Sequence, residues 1–201
     1  MTIVFNIIEG FSRKGLFPVF HGLLFSFLII YPLSFVSIYT RPVTRVAASS
    51  WIYENAATGI TIANEHWDDP LPLPLPNTNP LIYKGEILPL YDPDTEEKWG
   101  KISDQLNKTD YLVLSSNRLS GSIPQNPERY PKTSRYYEAL FEGSLGFEKV
   151  AEFTSYPCFP PFGKKHWFCL NDSSAEEAFT VYDHPKVIIF KKLEGVRKQG
   201  Q

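Results

Sequence analysis

The sequence predicts an α/β domain carried behind one transmembrane helix, and two observations lead there. From Gly15 to Thr40 there is no Asp, Glu, Lys or Arg. Beyond Arg41, short apolar runs alternate with amphipathic helical stretches, the pattern of strands and helices layered around one sheet. The 201 residues suffice for one ordinary domain and an anchor. The 43% hydrophobic and 21% charged fractions are those of a folded chain. A formal net charge of -2 offers no basic excess, so nucleic acid is not an expected partner.

The uncharged run LFPVFHGLLFSFLIIYPLSFVSIY sets the domain organisation: a flank at 1–14, a transmembrane helix at 15–40, an α/β domain at 41–192 and a disordered tail at 193–201. About 20 apolar residues cross the hydrocarbon core of a bilayer, and this run supplies them. Tyr31 and Tyr39 suit a far end at headgroup level, and Pro18 and Pro32 suit a span packed against other membrane helices. A cleavable signal would have a shorter apolar region, and a buried core helix would need a large covering partner. Arg13 and Lys14 before the span balance Arg41 and Arg45 after it, so charge assigns no orientation.

After the span, Thr44–Asn55 reads as a helix stopped by Gly59, and Ile60–Ala63 as a short strand. The alternation Pro70 to Pro76 excludes helix and central strand, and predicts an extended polyproline segment over the surface. Glu86–Tyr91 reads as a strand. Asp94 has the spacing of a helix cap, with Glu97 reaching back, for a helix presenting Trp99, Ile102 and Leu106. Tyr111–Leu114 is a strand buried on both faces. A polar loop from Ser115 to Pro131 leads to a helix through Tyr136, Tyr137, Leu140 and Phe141, closed by Gly143 and Gly146. Phe147–Tyr156, Phe179–Tyr182 and Val187–Phe190 read as strands, the last two joined as a hairpin by Asp183-His184-Pro185. The sum is a small Rossmann-like α/β sandwich, parallel at its centre, with an antiparallel edge hairpin.

The phrases TRVAASSWIYENAATGITIANEHWDDPLPLPL, ILPLYDPDTEEKWGKI, DYLVLSSNRLSGSIPQNPERYPKTSRYYEALFEGSLGFEKVAEFTSYP and EEAFTVYDHPKVIIFKK resemble the C-terminal end of bacterial multi-pass membrane proteins. These are the GT-C-type glycosyltransferases similar to protein O-mannosyltransferases, and the related YYY-type membrane proteins. The resemblance runs from about Tyr39 to Lys192. It implies a last transmembrane helix, an extracytoplasmic domain, and a parent enzyme moving sugar from a polyprenyl-phosphate donor. The family's catalytic acid lies in a loop after the first helix of a large bundle, and this sequence has one span and no such loop. No catalytic residue carries over, and the chain reads as a fragment, a split gene product or a truncated relative, non-catalytic on its own. The implied partners are the membrane, helices or an N-terminal region supplied from elsewhere, and a polyprenyl-phosphate sugar. A stand-alone anchored binding or scaffold module is the expectation from a different class.

The densest polar cluster, Glu65, His66, Asp68 and Asp69, follows the first strand, where ligands of open α/β sheets bind. Three carboxylates and an imidazole could hold a divalent cation such as magnesium, manganese or calcium. Against this, so local a cluster supplies no full coordination shell, and the preferred reading has Glu65 and Asp69 capping loops while His66 and Trp67 pack beside the membrane surface. No cofactor motif is present: GxGxxG, P-loop, HExxH and GxSxG are all absent. The loop Ser115, Ser116, Asn117, Arg118 opens on the same sheet edge, and its hydroxyls, amide and guanidinium suit a phosphate or a sugar, with Arg129 and Tyr130 adding a second fork and an aromatic face. The alternative is a loop held by its own hydrogen bonds, with Arg118 paired to Asp68 or Asp69. Cys158 and Cys169 bracket the aromatic-rich CFPPFGKKHWFC; a disulfide and two free thiols are both open, and a zinc site lacks ligands beyond His166. The aromatics suit either packing against the domain or resting on the bilayer interface.

Overall fold

The computed structural model of the chain describes residues 17–163 and 165–194. The flank at 1–14 and the tail beyond Glu194 lie outside the described residues. The chain divides into two compact units, one running to Arg41 and including Tyr156–Asp172, the other Pro42–Ser155 with the chain from Ser173 onward.

In the first unit, helix α1 (Phe17–Val36) covers 20 residues, about 30 Å of rise. A helix apolar all round belongs in a protein core or in lipid. Only 6% of its most apolar window is buried within this chain, and it is long and apolar enough to cross a membrane. Pro32 stands inside it without breaking it. A 3-10 turn, Ser37–Thr40, ends it. The same unit holds a two-stranded hairpin, β5 (Cys158–Phe159) and β6 (Phe168–Cys169), closed by a Cys158–Cys169 disulfide.

The second unit begins with α2 (Thr44–Asn55). The helix stops as Ala56 N–H closes on Ile52 O, and Gly59, at φ 82°, turns the chain toward β1 (Thr61–Glu65). Then follow β2 (Lys84–Leu88), α3 (Glu96–Lys108), β3 (Tyr111–Leu114), α4 (Arg118–Ser122), α5 (Pro131–Glu142), β4 (Phe147–Phe153), α6 (Glu177–Thr180) and β7 (Val187–Lys192). The sheet order is β2-β1-β3-β7-β4. β1 pairs in parallel with β2 and β3, and β7 runs antiparallel to both β3 and β4.

Strand alternation sorts the core into two layers. Leu112 and Leu114 of β3, with Ile188 and Phe190 of β7, join Ile102, Tyr137 and Leu140 on one face. Tyr111, Val113, Val187 and Ile189 join Ala48, Ile52 and Leu71 on the other. All four residues of β3 are buried, as expected for a strand covered on both sides.

Three expectations are corrected. Phe179–Tyr182 is no strand: Phe179 and Thr180 lie in the short α6, closed by Val181 N–H on Glu177 O (3.0 Å) and continued by His184 N–H on Thr180 O (2.9 Å). There is therefore no edge hairpin, and the antiparallel strand β7 stands inside the sheet with β4 at the edge. The cap of α3 is Thr95, whose side chain accepts from Lys98 N–H, because Asp94 is drawn away to Lys98 Nζ and the α5 N-terminus. The proline run is irregular and dips inward. Asn64 clamps both backbone groups of Leu71 (2.9 and 3.1 Å), so Leu71 is buried.

Candidate functional site

The parallel strands β1, β2 and β3 end at Glu65, Leu88 and Leu114, so the loops after them open on one edge of the sheet. The first loop turns through Trp67 at φ 93°, a conformation that costs a bulky L-residue about 1–3 kcal/mol. That turn leaves the indole 58% exposed and edge-on to Tyr91 from the loop after β2, with ring centroids 5.9 Å apart at 86°. Tyr91 leans on Tyr130, also at 5.9 Å, and the Arg129 guanidinium lies 5.2 Å from the Tyr130 ring. Trp67 and Tyr91 form one wall of a cleft of ≈ 370 Å³ whose other walls are Arg118, Leu119, Ser122 and Glu177.

Below the cleft, Asp68 ties the loops together. Its carboxylate accepts from Arg45 Nη2 of α2 (3.2 Å) and from the Ser116 hydroxyl, and pairs with Arg118 Nη1 at 3.7 Å. Arg118 Nε donates to Glu177 Oε1 at 3.0 Å, and its Nη1 reaches Trp67 O at 3.4 Å. The Glu177 hydrogen bond and the nearby Asp68 charge raise the Arg118 pKa against the opposing effect of burial. The guanidinium is thus a fixed cation presenting one edge to the cleft. The Tyr182 ring, largely exposed, stands 5.8 Å from it.

The sequence-predicted residues meet here only in part. Asp68 and Arg118 converge as the adjacency of the two loops predicts, and Trp67, expected to pack beside the membrane surface, lines the cleft. Glu65 points into the core, where its Oε1 accepts from Tyr137 Oη at 2.6 Å. Burial pushes its pKa up to about 8; the Tyr137 bond opposes this and the Asp68 charge adds to it. His66 faces solvent, edge-on to Trp67, and the Asp69 main-chain carbonyl accepts from Ser115 Oγ. The four residues thus face different ways, and among the described residues no three His, Cys, Asp or Glu side chains are gathered as a cation site requires. Asn117 lines a neighbouring polar cleft of ≈ 460 Å³ with Gln125, Asn126 and Ser174, and its buried Oδ1 has no hydrogen-bond partner among the described residues. Arg129 is exposed beside Tyr130 and does not line the cleft.

Sequence reasoning missed Tyr91, Ser122 and Glu177. Tyr91 was within reach, since it follows a strand of the same parallel set. Glu177 was not: it lies 59 residues from Arg118, ahead of a segment that reads as a strand. What fold and cleft define is a class, a mixed five-stranded α/β domain behind one long apolar helix, with an aromatic cleft holding a fixed ion pair. No family model, curated protein or solved structure matches the chain.

Proposed function

We propose that the chain is the terminal membrane span and extracytoplasmic domain of a polyprenyl-phosphate-sugar-dependent membrane glycosyltransferase, non-catalytic on its own. In this reading the five-stranded unit is a Rossmann-like domain whose cleft binds the sugar. The observation that carries it is the pairing of exposed Trp67 and Tyr91 with the Arg118–Glu177 ion pair. A pyranose has an apolar face and a rim of hydroxyls; an aromatic ring takes the face, and a guanidinium and a carboxylate take the rim. Charges around the cleft balance, Arg45 and Arg118 against Asp68 and Glu177, which favours a neutral ring over a free phosphate. Asp68 and Glu177 are both engaged by arginines, so neither suits general acid work.

Two further features support this reading. The α1 helix exposes apolar side chains on every side, and a disulfide belongs to an oxidising compartment. The test uses the full chain in nanodiscs, titrated with methyl mannoside, methyl glucoside and farnesyl-phosphoryl mannose. At least one should bind, and Trp67→Ala and Arg118→Met should each weaken it about tenfold, as loss of a stacking or charged anchor does. Binding that neither substitution alters would refute the assignment.

A further inference from the structure

A second surface has no part in the cleft. The hairpin of β5 and β6 exposes Phe162, Trp167, Phe168 and Leu170, and Trp167 is 78% exposed. Beneath them Phe159 contacts Trp167 edge-on (5.6 Å) and stacks on Phe168 (5.9 Å). The backbone beneath them is well held. Besides the disulfide, Trp167 N–H donates to Phe159 O at 2.7 Å and Leu170 N–H to Pro157 O at 2.8 Å. The paired strands are a cross-linked mount whose described aromatics face outward.

Its position within the first unit is fixed by the end of α1. Cys158 N–H donates to the Ser37 hydroxyl at 2.7 Å, Arg41 Nη2 donates to Tyr156 O, and Thr40 Oγ1 donates to Pro161 O at 3.3 Å. The 20 residues of α1 fill about 30 Å, the thickness of a hydrocarbon core. Ser37 to Arg41 therefore fall at headgroup depth whenever α1 spans, and the hairpin bonded to them falls at that depth too. Tyr39, 62% exposed, shares the layer. Trp and Tyr concentrate at this depth because the ring leaves water while its polar atom keeps a partner. Exposed Lys165 adds a cation that can reach lipid phosphates.

We propose that the disulfide-closed hairpin is a membrane-interface element: Phe162, Trp167 and Phe168 lie in the headgroup and upper acyl layer of the same bilayer that α1 crosses. The proposal rests on the reading of α1 as a span, but not on the cleft or its ligand. The lipid surface is the occupant because β5 packs against α1, whose apolar side chains are uncovered, and the bonds to Ser37, Thr40 and Arg41 set the depth of the hairpin. The disulfide has a role here: it holds a short loop in one shape, so the aromatics enter lipid together.

The experiment uses the full chain in phosphatidylcholine/phosphatidylglycerol vesicles, comparing wild type with Trp167→Phe. The fluorescence difference isolates Trp167 from the other three tryptophans. Lipids brominated near the headgroup should quench that difference more than lipids brominated near the bilayer centre, and aqueous iodide should leave it nearly unchanged. Quenching by iodide but by neither lipid would overturn the proposal. Shielding from all three quenchers would overturn it in favour of a covering protein. Alkaline carbonate extraction of the same vesicles tests the span separately. Protein released by carbonate removes the premise and the proposal with it. Protein retained with iodide-accessible Trp167 overturns the hairpin assignment alone.

Discussion

Glu65 gives the fold a pH dependence that its substitution should remove. Its carboxyl closes β1 directly beneath the cleft, buried to 3% exposure, with the Tyr137 hydroxyl as its hydrogen-bond donor. Burial moves its pKa from 4.5 to about 8 in the folded state. The folded chain therefore keeps a proton that the unfolded chain releases, and stability falls as pH rises. The contribution is fully present below about pH 4.5, declines through the interval and is lost above about pH 8. A shift from 4.5 to about 8 corresponds to roughly 4–5 kcal/mol, a large share of a domain's stability. Glu65→Gln keeps an acceptor for Tyr137 and has no charge to desolvate. In urea unfolding followed by tryptophan fluorescence, in one detergent across the pH range, wild type and variant should match at low pH. They should then separate, with the variant the more stable by several kcal/mol at pH 9. Parallel stability curves for the two proteins would refute the reasoning, because every other titrating group is common to both.

Other consequences follow from the same contacts. Asp94 lies beside Lys98 with both side chains almost fully buried; burial would raise its pKa, but bonds from Lys98, Thr133 and Trp99 overcome this and hold it well below the usual carboxylate range. Asp94→Asn should cost about 3–5 kcal/mol at neutral pH, the penalty for stranding a buried charge, measured as the same urea midpoint. Since the folded pKa of Asp94 is depressed, that contribution is present above the ordinary carboxylate pKa and lost as pH falls through the depressed value, so the gap should narrow in strong acid. Asn64→Ala removes two buried bonds to Leu71 and should cost about 2–4 kcal/mol, with faster hydrogen exchange confined to the proline segment. Cys158→Ser should destabilise the hairpin by about 2–3 kcal/mol, read as trypsin cleavage at Lys165, while the α/β unit keeps its urea midpoint.

What the sequence disclosed depended on how local the cause was. α2 and β3 fall at Thr44–Asn55 and Tyr111–Leu114 as their patterns predict, because helical periodicity and a bounded apolar run are properties of adjacent residues. The two loops of the cleft meet because both follow parallel strands, a topological rule that needs no contact information. Long-range competition was invisible. Asp94 has the spacing of a cap, yet Lys98 and the N–H groups of Lys132 and Thr133 claim it, and the last two arrive from a helix far along the chain. Phe179 to Tyr182 has strand composition, but Glu177 pairs with Arg118 and the segment coils into α6. Glu65 reads as a loop cap or a cation ligand until its hydrogen bond from Tyr137 is seen. Within Glu65 to Asp69 the sequence shows acidic density, and only the fold shows which carboxylates meet arginine, solvent or core.

The proposed role of this domain in sugar transfer at a membrane can be tested on the native assembly. Source-cell membranes would be solubilised in mild detergent, separated by size, probed with an antibody to the α/β unit, and assayed for transfer from a polyprenyl-phosphate sugar. Antibody-reactive material should run far above 23.0 kDa, with or joined to a many-span membrane protein, and carry transfer activity. Antibody-reactive material at 23.0 kDa, free of other membrane protein and of transfer activity, would contradict it.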